Sequence, residues 1–358
     1  MTLSHPTTKH KSDKMSKKPH ILIIYTGGTI GMVKSHKSNV LQPFDFEHLY
    51  KSIPELKQLH CSIEHISFEK PIDSSNMSPK VWQDMLNLII DNYDRVDGFV
   101  ILHGSDTMAY SASAVSFMIE NLTKPVVFTG SQLPIGDLRT DAKENLITAM
   151  EIAAAQNQNG NPVIQEVCIY FEYKLYRGNR TTKISAAQFR AFDSPNYPIL
   201  AESGVELKFY THALSNGSKA QKPVFRALKE QPILLLKIHP GIIREIFTQQ
   251  LKIPNLKGII LEAYGSGNAP TETWFLEALK QVLNRGIPVI DITQCVAGGV
   301  VLGKYETSLA LLNMGLIDGK DITTEAAVTK LMYLLTLGYD QKTIKKWFEI
   351  PLRGEIRM

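Results

Sequence analysis

Four short runs in the first half of the chain, ILIIY (21–25), DGFVIL (97–102), PVVFTG (125–130) and EVCIYF (166–171), are almost unbroken stretches of apolar residues. A strand with one wetted face alternates polar and apolar residues, so an unbroken β-branched run means that both faces are covered, as inside a parallel sheet. Between these runs, residues 79–93 (PKVWQDMLNLIIDNY), 109–121 and 141–155 carry helical spacing, the first opened by Ser78-Pro79. The pattern lapses into small and polar residues near 212–223 (HALSNGSKAQKP). It resumes with ILLLKI (233–238), GIILEAYG (258–265) and PVIDIT (288–293), again with helices between and after them. The reading is α/β: a flexible basic tail (1–20), a larger N-terminal parallel-sheet domain (21–211), a linker (212–231) and a smaller C-terminal α/β domain (232–358).

Charge excludes one class of partner. The formal charge is +4 over 358 residues, but five of the 39 Lys and Arg and one of the 35 Asp and Glu lie in the first twenty positions, leaving 34 against 34. A balanced body has no basic face for phosphates, so nucleic-acid binding is not expected. The apolar run after the basic tail is too short for a signal peptide, and no segment approaches a membrane span. Cys61, Cys168 and Cys295 are odd in number, far apart and without metal-ligand spacing, so they read as reduced thiols in a cytoplasmic protein.

Two motifs occupy matching places. Thr26-Gly-Gly-Thr-Ile-Gly31 follows ILIIY, and His103-Gly-Ser-Asp-Thr-Met108 follows GFVIL. The carboxyl ends of parallel strands are where such sheets gather their ligands. TGGTIG matches neither GxGxxG nor GxxxxGK[ST], which argues against a nucleotide site. A hydroxyl held on glycine-rich backbone, as at Thr29, can instead attack a carbonyl while nearby N–H groups stabilise the oxyanion. Ser105 adds a second hydroxyl and Asp106 a carboxylate. An Asp at a strand end is more often a helix cap, and His103, beside Gly104, is more often a residue that holds the turn than a base. Paired with TGGTIG, the second motif describes an amide-cleaving site.

The pair of motifs resembles the L-asparaginase family, in particular its bacterial type I, cytoplasmic branch. The resemblance runs through DSSNMSP (73–79), LYRGNRTTK (175–183), YGSGNAP (264–270) and TQC (293–295), nearly everything after residue 20. It implies hydrolysis of L-asparagine, with L-glutamine a weak substrate, and no cofactor or metal. Thr29 takes the place of the nucleophile, and Ser105, Asp106 and Lys183 those of the second hydroxyl, its carboxylate and the lysine of a Thr-Lys-Asp relay. Asp73, Ser74 and Ser75 match the loop that holds the substrate's amino-acid part, together with Ser105 and Asp106, and Asn268 the residue that reaches a neighbouring subunit's site. A homodimer or homotetramer with sites at the dimer interface follows. The family also includes the asparaginase-like component of tRNA-dependent amidotransferases, which delivers ammonia to a partner. Twenty residues of tail are too few for that component's extra N-terminal domain, and a non-catalytic amino-acid sensor would not need a nucleophile.

Three positions depart from the family pattern. Ser105 stands where most members have Thr. The run from Met32 to Phe44 lacks the loop Tyr that members commonly place near the nucleophile, with Tyr25 before the motif and Tyr50 on an expected helix. In the allosteric site of some type I members an Arg precedes YG; here it is Glu262, although Thr182, Thr293 and Cys295 match other parts of that site. Weak or absent activation by asparagine is expected.

Overall fold

A computed structural model describes residues 18–34, 41–43, 53–215 and 221–358. Tyr50 and nearly all of the basic tail lie outside the described residues, as do positions 35–40 and 44 of the run after TGGTIG.

The first domain is built on one sheet. Its strands are β1 (His20–Gly27), β2 (Ser62–Ile72), β3 (Gly98–Leu102), β4 (Val126–Thr129), β5 (Val167–Phe171), β6 (Lys174–Arg177), β7 (Ala201–Ser203) and β8 (Leu207–Phe209), in the order β8-β7-β6-β5-β4-β3-β1-β2. Strands β2, β1, β3, β4 and β5 are parallel, while β6, β7 and β8 continue antiparallel, so the expected parallel sheet is a mixed one. Tight connections explain the change: Glu172 and Tyr173, both at positive φ, turn β5 straight back into β6.

The unbroken apolar runs are covered on both sides. Leu22 and Ile24 face one core, while Ile21, Ile23 and Tyr25 face another across the sheet. Phe99 and Ile101 against Val100 and Leu102 repeat the pattern on β3. Helices α1 (Pro79–Asn92) and α2 (Met108–Met118) line the first core, and α3 (Ala142–Ala154) the second.

The C-terminal domain is a four-stranded parallel sheet in the order β9 (Ile233–Lys237), β10 (Gly258–Ala263), β11 (Val289–Thr293) and β12 (Ile317–Asp318). Helices α4 (Arg244–Leu251), α5 (Thr273–Asn284) and α6 (Glu306–Met314) pack on one side through Phe247, Phe275 and Leu311. On the other side lie α7 (Thr324–Thr336) and α8 (Gln341–Phe348), whose Leu331 and Phe348 join the first domain's core. Helix α2, made largely of Ala and Ser, is buried on nearly every side where the domains meet. Between the domains, Val224–Phe225 pairs antiparallel with Ile119–Glu120, tying part of the expected linker to the first domain.

Candidate active site

Three motif turns leave the carboxyl ends of three adjacent parallel strands. Asp73–Ser75 follows β2, TGGTIG leaves β1, and HGSDTM follows β3. Glycine brings them together. A Cβ on Gly28 would lie 2.4 Å from the Gly104 nitrogen, and one on Gly104 would lie 2.5 Å from Ser74 Oγ. Gly28 also sits at φ +89°, backbone that a side chain resists. A hydrogen bond from Thr107 Oγ1 to Ser74 O at 2.7 Å ties the HGSDTM and Asp73–Ser75 turns a second time.

Thr29 is half-buried at the start of a 3-10 turn, Thr29–Gly31. Tyr25, almost fully buried, supports that turn from below, donating its hydroxyl to Gly31 O at 3.2 Å. Burial pushes the phenol up to about 12, so it stays protonated and able to donate. It fills the space that a Gly31 side chain would take, a prop beneath the turn. The hairpin that follows pairs Met32–Lys34 with Leu41–Pro43.

The ionic part of the site centres on Lys183. Its Nζ donates to Asp106 Oδ1 at 2.7 Å and to Ser105 Oγ at 2.9 Å, while Ser105 Oγ donates to Gln132 Oε1 at 3.1 Å. Gln132 Nε2 is in turn fixed on Gln188 O at 3.0 Å. Gln132 stands just past the end of β4, the fourth neighbouring strand, and was missed in the sequence although PVVFTG places SQ at a parallel strand's carboxyl end. Asp73 Oδ1 accepts from both Ser75 N and Ser75 Oγ at 2.9 Å, which fixes the shape of the third turn. The structure therefore brings Thr29, Ser74, Ser75, Asp73, Ser105, Asp106 and Lys183 to one end of one sheet.

His103 is fully buried and holds the turn. Its Nδ1 lies 2.6 Å from Gly104 O and its Nε2 2.8 Å from Ser111 Oγ, which also accepts from Trp82 Nε1 at 2.9 Å. One tautomer satisfies the chain: Nδ1–H donates to the carbonyl and Nε2 accepts from the serine. Burial lowers its pKa from 6.5 to about 4. The unfolded chain therefore binds this proton near pH 6.5 and the folded chain only near pH 4, so stability falls as pH drops through that interval, by about 3 kcal/mol in all. Chemical denaturation between pH 7 and 4 is expected to show this slope in the wild type and a flatter one in His103→Asn. Equal slopes would contradict a neutral, buried His103.

The remaining expected residues lie in or beside the second domain. Asn268 sits in the loop between Gly265 and Ala269, where it exchanges backbone bonds with Tyr264 and accepts from Thr307 Oγ1 at 2.7 Å. Thr182, next to Lys183, donates to Glu325 Oε1 at 2.7 Å, and Glu262 accepts from Thr324 Oγ1 at 2.7 Å with Lys237 Nζ at 3.6 Å. Both acids are more than nine-tenths buried, and burial raises the pKa of Glu325. Thr293 Oγ1 accepts from Cys295 N at 3.0 Å, and Cys295 is exposed. Thr182 and Glu262 thus meet the first turn of α7 from opposite domains. Among the described residues no three His, Cys, Asp or Glu side chains cluster as metal ligands, and no helix is long and apolar enough to cross a membrane.

Fold and site together define a two-domain α/β protein that gathers side-chain hydroxyls, a lysine and a carboxylate at the carboxyl end of its larger sheet. The family model described as Asparaginase, N-terminal matches residues 20–215, and that described as Glutaminase/Asparaginase C-terminal domain matches residues 233–348. The chain is 42% identical to L-asparaginase 1 of Escherichia coli (strain K12), over 95% of this chain and 98% of that protein. The crystal structure of L-asparaginase I from Vibrio cholerae superposes with a TM-score of 0.87 at 40% identity, covering 96% of this chain and all of the other. A glutamyl-tRNA(Gln) amidotransferase component of Pyrococcus furiosus is 31% identical, over 94% of this chain and 77% of that protein. The chain belongs to the asparaginase family.

Proposed function

We propose that the chain hydrolyses L-asparagine to L-aspartate and ammonia, with Thr29 as nucleophile. The observation that carries this reading is the Lys183 ammonium bridging Ser105 and Asp106, on a turn packed backbone to backbone against the one that bears Thr29. Thr29 Oγ attacks the side-chain amide carbon, and the carbonyl electrons move to oxygen, facing N–H groups of the glycine turns. Collapse of this intermediate breaks the C–N bond, and the nitrogen leaves as ammonia carrying the proton that the Thr29 hydroxyl lost on attack. Water, held through Ser105, Lys183 and Asp106, then cleaves the Thr29 ester and restores the hydroxyl. Splitting one hard step into two is the advantage of the covalent route.

Asp73 serves the substrate's ammonium, and Ser74, Ser75 and Ser105 offer donors to its carboxylate. L-glutamine, one methylene longer, is a weak substrate. Asn268 completes the site of a second copy across a dimer, two of which form a tetramer, and the protein works in the cytoplasm with its thiols reduced. Glu262 sets a carboxylate where an effector's own carboxylate would need a cation, so asparagine does not activate the enzyme through Thr182, Glu262, Thr293 and Cys295.

Ammonia release by the purified chain, measured against asparagine and glutamine concentration without tRNA or any partner protein, tests the reading. Hyperbolic release from asparagine, with glutamine far slower, is expected. Release that required tRNA would favour the amidotransferase reading, which the likeness to the Pyrococcus furiosus protein keeps specific, and a sigmoidal curve would contradict the absence of activation.

A further inference from the structure

Lys183 is reached through a segment that the far end of the chain holds in place. From the last residue of β6 to Lys183, the side chains of Arg177, Asn179 and Arg180 are buried. Asn179 Nδ2 donates to Arg353 O at 3.1 Å, and Arg180 Nε donates to Gly354 O at 2.7 Å. Arg177, paired with Glu166 at 2.5 Å, adds a longer contact to the same Gly354 carbonyl at 3.5 Å. Asn179 and Arg180 lie in the 3-10 turn Gly178–Arg180, which Arg177 precedes and which leads through Thr181 into the short strand Thr182–Lys183.

The turn that receives them, residues 352–355, is itself fixed. The Glu355 carboxylate takes the N–H groups of Leu352 and Arg353 at 3.0 and 2.7 Å and pairs with Lys330 of α7 at 2.5 Å, both side chains being fully buried. A buried pair is a weak source of net stability because both ions are desolvated, but its direction-dependent bonds define one geometry. Gly354 lies at φ +76°, and a Cβ there would stand against Arg177 Nη1, so a side chain at the point where the arginines dock would strain the turn and push Arg177 aside. Arg180 is also held by Asp321 at 2.9 Å, which in turn accepts from Arg357 N at 2.8 Å.

We infer that the C-terminal turn 352–355 is a positioning element for Lys183, acting through Asn179 and Arg180. This rests on the reading of Lys183 as part of the catalytic relay. The turn sets the backbone from which the lysine reaches Ser105 and Asp106, so it acts on the reaction without touching substrate. Loosening it lets the ammonium drift from two bonds that both lie below 3 Å, and small misplacements of a reacting group are costly to rate.

The test compares Gly354→Ala, Asn179→Ala and Lys183→Met in the full chain, each shown to be folded by circular dichroism and assayed well below its melting temperature. Gly354→Ala and Asn179→Ala are expected to lose about tenfold or more in kcat while KM moves by less than about threefold, and to shift the pH profile of kcat by about half a unit or more. A purely structural role would lower the melting temperature and leave both readouts unchanged. If folded Gly354→Ala and Asn179→Ala keep wild-type kcat and pH profile while Lys183→Met is inactive, the positioning role is wrong and the catalytic reading stands. If Lys183→Met keeps wild-type activity, both are wrong. Should Gly354→Ala fail to fold, Asn179→Ala decides alone.

Discussion

Thr29→Ala is expected to release ammonia from asparagine on the order of 10,000-fold more slowly than the wild type, with its melting temperature nearly unchanged. Both halves of the expectation follow from the turn. Gly27 and Gly28, at φ +132° and +89°, set its path, and neighbouring Ile30 carries its packing with no exposed surface. The Thr29 side chain is only half-buried, so alanine removes a hydroxyl and a methyl group without opening the core. The other hydroxyl of TGGTIG, on Thr26, is buried and donates to Leu102 O at 2.9 Å, so the proposed covalent route has no second free group there to form the ester. Thr29→Ser keeps the oxygen but frees its rotamer, and a loss of about tenfold to a hundredfold is expected. Steady-state ammonia assays and thermal melts on the three proteins check this, and near-wild-type turnover in the alanine variant would contradict the nucleophile assignment.

Lys183→Met is expected to lower kcat by about a thousandfold, within the range general acid–base groups supply. Methionine fits the space of the lysine stem and removes only the ammonium, so Ser105 loses a donor and Asp106 its cation together. Little stability is at stake, because Asp106 is 64% exposed and such a pair contributes at most about 1 kcal/mol. A large kinetic loss beside a small shift in melting temperature therefore separates catalysis from packing. A fall in melting temperature that accounted for the lost activity would count against the relay.

Strands covered on both faces were legible in the sequence because their apolar runs admit few other readings. Residues 21–25 became β1, 97–102 became β3, and the helix expected over 79–93 spans Pro79–Asn92. Strand β2 escaped notice because it is an edge: among the described residues SIEHISFEKPI pairs on one side only, and Glu69 and Lys70 face solvent. It carries the Asp73–Ser75 turn, so the step from a loop motif to a third wall of the site needed the sheet order. The antiparallel turn-back at β6 escaped for a different reason, since it depends on Glu172 and Tyr173 taking positive φ, which neither residue type favours.

At the site, the hydroxyls and Asp106 were legible from where their motifs fall after strands. Lys183 was legible only through family resemblance, because the bonds it makes span more than seventy residues of sequence. Tyr25 precedes the motif and holds it from beneath, a role that no spacing rule announces. Arg177 and Arg180 carried no chemical signal in LYRGNRTTK either. Their partners are the carboxylates of Glu166 and Asp321 and a carbonyl near the other end of the chain, and nothing in the local sequence marks any of them.

The covalent step is open to direct observation by acid-quenching the enzyme during turnover of saturating asparagine and mapping the peptides by mass. An aspartyl ester on the peptide bearing Thr29, absent from Thr29→Ala, is the expected result. An ester on Ser105 instead, or an unmodified Thr29 peptide accompanied by undiminished turnover in Thr29→Ala, would contradict it.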